Sequence, residues 1–167
     1  MRIGIVSDTH GKSKRLAKAL ELFAARGAEA VVHCGDIVSA DDVAMLGGFA
    51  GAAYLVAGNM DRHALGSLAG AAEKVGVTFA ADFLAVPLGD GRHLAVTHGN
   101  LEELLDELIR GGQYAYVCHG HSHHRRDERF GPTRVINPGA LYHPRDRHGE
   151  SVCLLDTRAD TVEFIKL

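Results

Sequence analysis

The chain has no apolar run of the ~18 residues that a membrane-spanning helix needs, so none is expected. Its first segment, Arg2-Ile3-Gly4-Ile5-Val6, reads directly as a strand. No signal peptide and a cytoplasmic location are therefore expected. Cysteines are few and odd in number: Cys34, Cys118 and Cys153. They fit a reducing cytosol rather than a disulfide framework. Cys34 and Cys118 end apolar runs and read as small buried hydrophobes. The net charge of -3 leaves no general electrostatic footprint for nucleic acid, and a large duplex is not expected as a partner. The local cluster Arg125-Arg126, with Arg129, reads as a solvated loop face. Internal repeats, linkers and low-complexity tracts are absent.

What is present suits one domain over residues 1–167, with 46% hydrophobic and 23% charged residues. Arg2 to Ser7, Ala30 to His33 and Ala53 to Val56 read as strands. Leu16, Leu20 and Phe23 recur at helical spacing, which predicts a helix from Ser13 to Arg26 with Gly27 as its stop. A short helix fits Ala40 to Leu46, so the first half alternates strand and helix as parallel β-α-β units do. Beyond Val75 the pattern changes. Phe83 to Leu88 and His93 to Val96 flank Gly89-Asp90-Gly91 as a hairpin. Leu101, Leu104, Leu105, Leu108 and Ile109 mark an amphipathic helix ended by Gly111-Gly112. Tyr114 to Cys118 is a further strand, and Ser151 to Asp156 with Thr161 to Ile165 a second hairpin. The expectation is an α/β chain whose two mixed β-sheets pack as a sandwich, with helices on the outer faces.

Five short segments supply metal-ligand residue types, nearly all directly after a strand-like run. They are Asp8-Thr9-His10, Gly35-Asp36, Gly58-Asn59, His98-Gly99 and Gly120-His121-Ser122-His123. Ligands in open α/β sheets gather beyond the carboxyl ends of the strands, where Asp8, Asp36 and Asn59 should be delivered. A spacing of two puts Asp8 and His10 on one side of an extended chain, and His121 and His123 repeat it. Glycines beside them would let backbone approach a crowded centre. Carboxylate, imidazole and amide together suit divalent cations, which activate water and grip phosphate. The remaining histidines, His33, His63, His93, His119, His124, His143 and His148, read as ordinary hydrogen-bonded or surface groups.

These motifs in this order resemble the calcineurin-like metallophosphoesterase superfamily, from Ile3 to Arg145. The short chain and Gly58-Asn59-Met60-Asp61 look most like its small single-domain phosphodiesterase branch. Asn137-Pro138-Gly139-Ala140 resembles that branch's late Asn-Pro-Gly-Ser turn, with Ala140 in place of serine. By this resemblance one ion takes Asp8, His10, Asp36 and His123. The other takes Asp36, Asn59, His98 and His121, with Asp36 bridging. Two divalent cations would exceed the charge of two carboxylates and one hydroxide by a single unit, leaving a centre that attracts phosphate.

The implied reaction is in-line attack of a metal-bridging hydroxide on a phosphate ester, most readily a phosphodiester of a small molecule. Manganese is the first choice of ion, with nickel, iron and zinc as alternatives. Met60 stands where many larger relatives resemble one another in carrying a histidine as general acid, and it cannot donate a proton. Asp61 and His63 are the nearest titratable residues. Asp61 is read first as a support that hydrogen-bonds a ligand histidine, with proton donation as its other role. Residues 61–72 could wall a pocket, with Arg62 or His63 touching substrate. The alternative is a non-catalytic metal-binding scaffold, since the retromer scaffold subunit is similar in fold; complete filling of the ligand positions favours the enzyme. The sequence leaves a homo-oligomer open.

Overall fold

The first strand, β1 (Arg2–Val6), divides its side chains between two cores. Successive residues leave a strand on opposite faces. Ile3 and Ile5 are fully buried in one apolar cluster and Val6 in another. At Gly4 an added Cβ would lie 2.4 Å from the Phe23 ring, so helix α1 (Ser13–Ala25) lies directly against that face.

The computed structural model describes residues 1–167, with eleven strands, four α-helices and one 3-10 turn at Asn59–Ala64. After β1 come β2 (Ala30–His33), β3 (Ala52–Val56), β4 (Thr78–Ala80), β5 (Phe83–Pro87) and β6 (His93–Thr97). They are followed by β7 (Tyr116–Cys118), β8 (Arg125–Phe130), β9 (Thr133–Pro138), β10 (Ser151–Asp156) and β11 (Thr161–Lys166). The first sheet runs β11-β10-β1-β2-β3-β4, parallel from β1 to β4 and antiparallel at β10 and β11. The second runs β5-β6-β7-β9-β8, with a parallel centre and antiparallel edges. Both sheets are mixed, as expected.

The sheets bury a shared layer between them. Ile3, Ile5, Val32 and Val56 of the first meet Val86, Leu94, Val96, Tyr116 and Ile136 of the second. All three cysteines are buried and free, with Cys34, Cys118 and Cys153 in this layer. On the outer face of the first sheet lie α1, α2 (Ala40–Gly47) and α3 (Leu65–Val75), through Leu16, Phe23, Val43, Leu46 and Leu68. Helix α4 (Glu102–Arg110) covers the second sheet, placing Leu108 and Ile109 on Ala95, Val117 and Val135. Ser39 caps α2 by accepting the Asp41 N–H at 3.2 Å, the role that favours serine at a helix start.

Several elements depart from the sequence reading. Arg125, Arg126 and Arg129 lie on strand β8, not on a loop. This edge strand is charged along its length and is held by antiparallel pairing with β9, from Arg125↔Pro138 to Phe130↔Thr133. Charge on a sheet edge also discourages pairing with another chain. No element is expected from the sequence directly after Ala64, where the structure has helix α3, ended by Gly76 in the left-handed region (φ 73°) and followed by the short strand β4. No helix is long and apolar enough to cross a membrane.

The layer between the sheets sets a stability expectation. Ile5→Ala removes a fully buried side chain from it. Urea unfolding should register a loss of roughly 2–5 kcal/mol, and a loss well below that range would mean the layer relaxes to fill the gap.

Candidate metal centre

Five loops leave strand ends and converge at one edge of the sandwich. Backbone hydrogen bonds lock them together: Asp8 N–H donates to Gly35 C=O at 3.0 Å, His10 N–H to Asp36 C=O at 2.9 Å and Gly120 N–H to His98 C=O at 2.9 Å. Asp8, Asp36, His98 and His123 are buried, His10 is partly buried, and Asn59 and His121 are exposed. The donors therefore grade from a dry floor to an open mouth.

Asp8 and His10 reach the centre that their spacing implied, but not as an extended segment. Asp8 (φ 54°), His10 (φ 45°), Asp36 (φ 57°), His121 (φ 62°) and His123 (φ 60°) all sit in the left-handed region. That region costs a residue with a Cβ about 1–2 kcal/mol, and such strain clusters at functional sites. It turns each side chain inward where an extended strand end would carry the chain past the centre. Close approach at two glycines completes the packing. A Cβ on Gly58 would fall 2.0 Å from Asp36 Oδ1, and one on Gly120 would fall 1.9 Å from Ser7 Oγ.

Asp36 lies at the middle. Its Oδ1 accepts the Met60 N–H at 2.8 Å. Its Oδ2 is 3.6 Å from His10 Nε2 and 3.5 Å from His98 Nε2. On one side, Asp8 Oδ1 lies 3.2 Å from His123 Nε2 and 3.9 Å from His10 Nε2. On the other, Asn59 Oδ1 lies 3.0 Å from both His98 Nε2 and His121 Nδ1. Donors bonded to one cation at ~2.0–2.2 Å stand about 3–3.5 Å apart, so these separations fit metal cradles. Asp8 Oδ1 and His10 Nε2 are buried with no hydrogen-bond partner, a costly state that a cation would relieve.

Supporting contacts aim the imidazoles. His98 Nδ1 is 2.8 Å from Cys34 C=O and His123 Nδ1 is 2.8 Å from His143 C=O. A carbonyl only accepts, so each Nδ1 carries hydrogen and each ring turns its Nε2 to the centre, where it faces Asp36 or Asp8 and would offer its lone pair to a bound cation. Asp8 Oδ2 accepts from Ser7 Oγ at 2.6 Å and from His121 N–H at 3.1 Å. His33 is fully buried, and burial pushes its pKa down to about 3. It accepts the Gly35 N–H on Nδ1 at 3.1 Å and so donates from Nε2 to Thr9 Oγ1 at 3.1 Å. This neutral ring joins the Asp8 and Asp36 loops.

Electrostatics keeps the acids ionised. Burial works to raise the Asp8 carboxyl, but the adjacent His123 imidazole, the His98 charge and the Ser7 hydrogen bond outweigh it and hold it below the usual range. Asp36 is likewise low, since His98 and the Met60 amide overcome its burial. Ionised carboxylates are the ligand form.

The structure brings Asp8, His10, Asp36, Asn59, His98, His121 and His123 into one cluster. Asp61 is fully buried beside them, and its partners are amides, not an imidazole. It accepts N–H groups from Ile37 at 3.3 Å, Val38 at 2.8 Å and Gly58 at 2.8 Å, fastening the Asp36 loop to the Asn59 loop. Val38 has φ 72°, unusual for a branched residue, and this carboxylate holds it there. His63 is exposed on the 3-10 turn and makes no hydrogen bond, while Arg62 is ion-paired to Asp82 at 2.5 Å. The supporting roles of Ser7, His33 and the carbonyls of Cys34 and His143 were not expected from the sequence. Asn137 stood out there only as part of a turn. Its amide donates to Gly120 C=O at 2.8 Å and to Ser122 Oγ at 3.1 Å, bracing the His121–His123 loop.

A two-sheet α/β sandwich with this donor set defines a metallophosphoesterase. The family model for the calcineurin-like phosphoesterase superfamily domain matches residues 1–160. A phosphodiesterase of Methanocaldococcus jannaschii is 32% identical over 139 residues, covering 83% of each chain. The probable metallophosphoesterase YsnB of Bacillus subtilis is 30% identical, covering 98% of this chain and 90% of its own. A solved archaeal phosphodiesterase superposes with a TM-score of 0.89 at 30% identity, over 100% of both chains. Vps29 of Entamoeba histolytica shares the fold alone, with a TM-score of 0.65 at 16% identity. The chain belongs to the calcineurin-like phosphoesterase superfamily, metal-dependent hydrolases acting on phosphoric ester bonds.

The contacts of Asp61 make it separable from the donors. In Asp61→Asn one acceptor oxygen is replaced by an amide that faces N–H donors. Metal-free protein should lose roughly 1–3 kcal/mol in urea unfolding. Mn²⁺ affinity by calorimetry should fall about 10–100-fold. Wild-type affinity in the variant would remove Asp61 from the support of the centre.

Proposed function

We propose that the chain is a phosphodiesterase working at a pair of divalent cations. The position of Asp36 Oδ2, 3.6 Å from His10 Nε2 and 3.5 Å from His98 Nε2, carries this reading. An oxygen placed between two donor sets suits a bridging carboxylate. Asp8, His10 and His123 complete one cradle with Asp36. Asn59, His98 and His121 complete the other. Manganese remains the first choice, and the mixed oxygen and nitrogen donors also suit iron, nickel and zinc. Bound there, two such ions would supply Lewis acidity and lower the pKa of water from ~15.7 toward roughly 7.

The chain's own groups do the rest. The buried floor excludes water around Asp8 and His98. The Cys34 and His143 carbonyls fix ring orientation, and the strained turns hold the donors in place before substrate arrives. Exposed Asn59 and His121 mark the side from which substrate enters. Met60 contributes its backbone N–H to Asp36, and its thioether has no proton to give a leaving group. Asp61 is committed to three amides and is not free to replace the missing acid, while His63 is exposed on the same turn with no side-chain partner. Esters whose alcohol leaves readily as an anion are the substrates that suit such a site. The scaffold alternative rests on fold likeness alone, whereas filled donor positions and orphaned donor atoms favour the enzyme.

The test is hydrolysis of aryl and alkyl phosphodiesters by metal-stripped protein with Mn²⁺, Ni²⁺, Zn²⁺ or Mg²⁺ restored in turn. Turnover should require an ion, and aryl esters should far outpace alkyl ones. Asp36→Asn should lose about a hundredfold or more, through weakened ion binding. No turnover with any ion would favour the scaffold instead, and equal rates on both ester types would show that another residue supplies the proton.

A further inference from the structure

The rim on the His10 and His123 side carries two cations that no carboxylate claims. Lys12 follows the Asp8–His10 loop, and its ammonium lies over the Tyr142 ring, 4.6 Å from the centroid. The same ring packs on the His10 imidazole with centroids 5.4 Å apart. The Tyr142 ring thus touches both the ammonium and a residue of the donor cluster. Arg145 is exposed, and its backbone N–H donates to His123 C=O at 3.1 Å.

Nearby acids are already engaged. Asp146 accepts the N–H groups of Arg125 at 2.9 Å and His148 at 2.8 Å. Glu150 pairs with Arg15 at 3.0 Å. Asp8 and Asp36 face the imidazoles. Many arginines elsewhere on the surface, including Arg2, Arg26, Arg92, Arg110 and Arg134, do have carboxylate partners. Two unpaired cations beside a centre that suits phosphate would otherwise raise the local positive potential for nothing in the folded chain.

Their frame is fixed as well. Leu141 N–H donates to Ser7 C=O at 3.3 Å, and the His143 carbonyl takes the His123 Nδ1–H at 2.8 Å. His143 is itself left-handed at φ 48°. The loop from Leu141 to Arg145 is therefore tied to the Asp8 and His123 loops at successive points. The backbone that carries Tyr142 and Arg145 is thereby held in place relative to the donors.

We propose that Lys12 and Arg145 form a subsite for a second phosphate, and that the substrates are phosphodiesters carrying a further phosphate beside the scissile one, as in nucleotides phosphorylated at both sugar positions. This rests on the phosphodiesterase reading above. Tyr142 is a positioning residue that holds the Lys12 ammonium over its ring. Exposed cations interact with a dianionic phosphate more strongly than with a neutral group, and salt weakens that attraction.

The experiment compares the 4-nitrophenyl ester of thymidine 5′-phosphate with the same ester carrying a 3′-phosphate, under the ion that gives the highest turnover. The 3′-phosphorylated ester should be preferred about tenfold in kcat/KM, mainly through KM, and added salt should compress the preference. Lys12→Met and Arg145→Met should each cut the ratio between the two esters several-fold, and the double variant should bring it near unity. Lys12→Arg and Arg145→Lys should restore most of it, which a merely structural role would not. Calorimetry on metal-loaded protein with thymidine 3′,5′-bisphosphate and thymidine 5′-monophosphate gives a readout independent of turnover. Tighter binding of the bisphosphate, weakened in both Met variants, supports the subsite even if hydrolysis fails. Equal binding of the two ligands, or a ratio unchanged in the double variant, overturns it while leaving the phosphodiesterase reading intact.

Discussion

The carboxylate of Asp36 is the constraint around which the mouth of the sandwich is arranged. Burying an ionised carboxylate is expensive unless hydrogen bonds and opposite charge compensate for it. Here Met60 N–H satisfies one oxygen while His10 and His98 flank the other. The loops from β1, β2, β3 and β6 must therefore all reach this point, with the loop after β7 closing beside Asp8. Parallel strands suit the task, because their carboxyl ends open at the same edge of the sheet. The antiparallel strands β5, β8, β10 and β11 lie toward the sheet margins and supply no donor.

Compensation comes in successive layers of contact. The donors are held by left-handed backbone, that backbone is held by Asp61, His33 and the cross-loop amides, and all of these rest on the apolar layer between the sheets. Strained φ values at five donor residues would relax if the surrounding hydrogen bonds were removed. The site therefore depends on stability stored elsewhere in the fold. A defect in the layer between the sheets and a defect at Asp61 would reach the donors by different routes, one through strand spacing and one through loop geometry.

The sequence was most readable where one physical signal dominated. Strands β1, β2, β3, β6 and β10 are buried on both faces and appear as plain apolar runs, such as Ala30-Val31-Val32. The donors were readable because packing alone gives an apolar strand no reason to end in a glycine-flanked acid or imidazole. Strand β8, Arg125-Arg126-Asp127-Glu128-Arg129-Phe130, was not readable. Nothing local makes it a strand, and only its pairing with β9 does. Helix α3 carries small residues and few large ones, so its periodicity is faint, although Leu68 and Ala72 pack fully into the core. The His143 carbonyl could not be found from side chains at all. The extended reading of Asp8 and His10 failed because a spacing of two fits both an extended segment and a turn with left-handed residues.

The floor and the rim answer to different demands. At the floor, donor identity and backbone strain are tied together. A substitution there disturbs charge, geometry and neighbouring loops at once, as the 2.0 Å clearance at Gly58 implies. The rim is freer. Lys12 and Arg145 project from ends of ordered segments, and their side chains meet solvent, an aromatic face and no acid. Met60 is exposed on the opposite side, near Asn59, and holds Asp36 only through its backbone. On the proposed reading, phosphate chemistry belongs to the floor, and the choice of leaving group and flanking charge to the mouth. The two could then vary separately, because Lys12, Met60 and Arg145 lie outside the left-handed backbone that holds the donors.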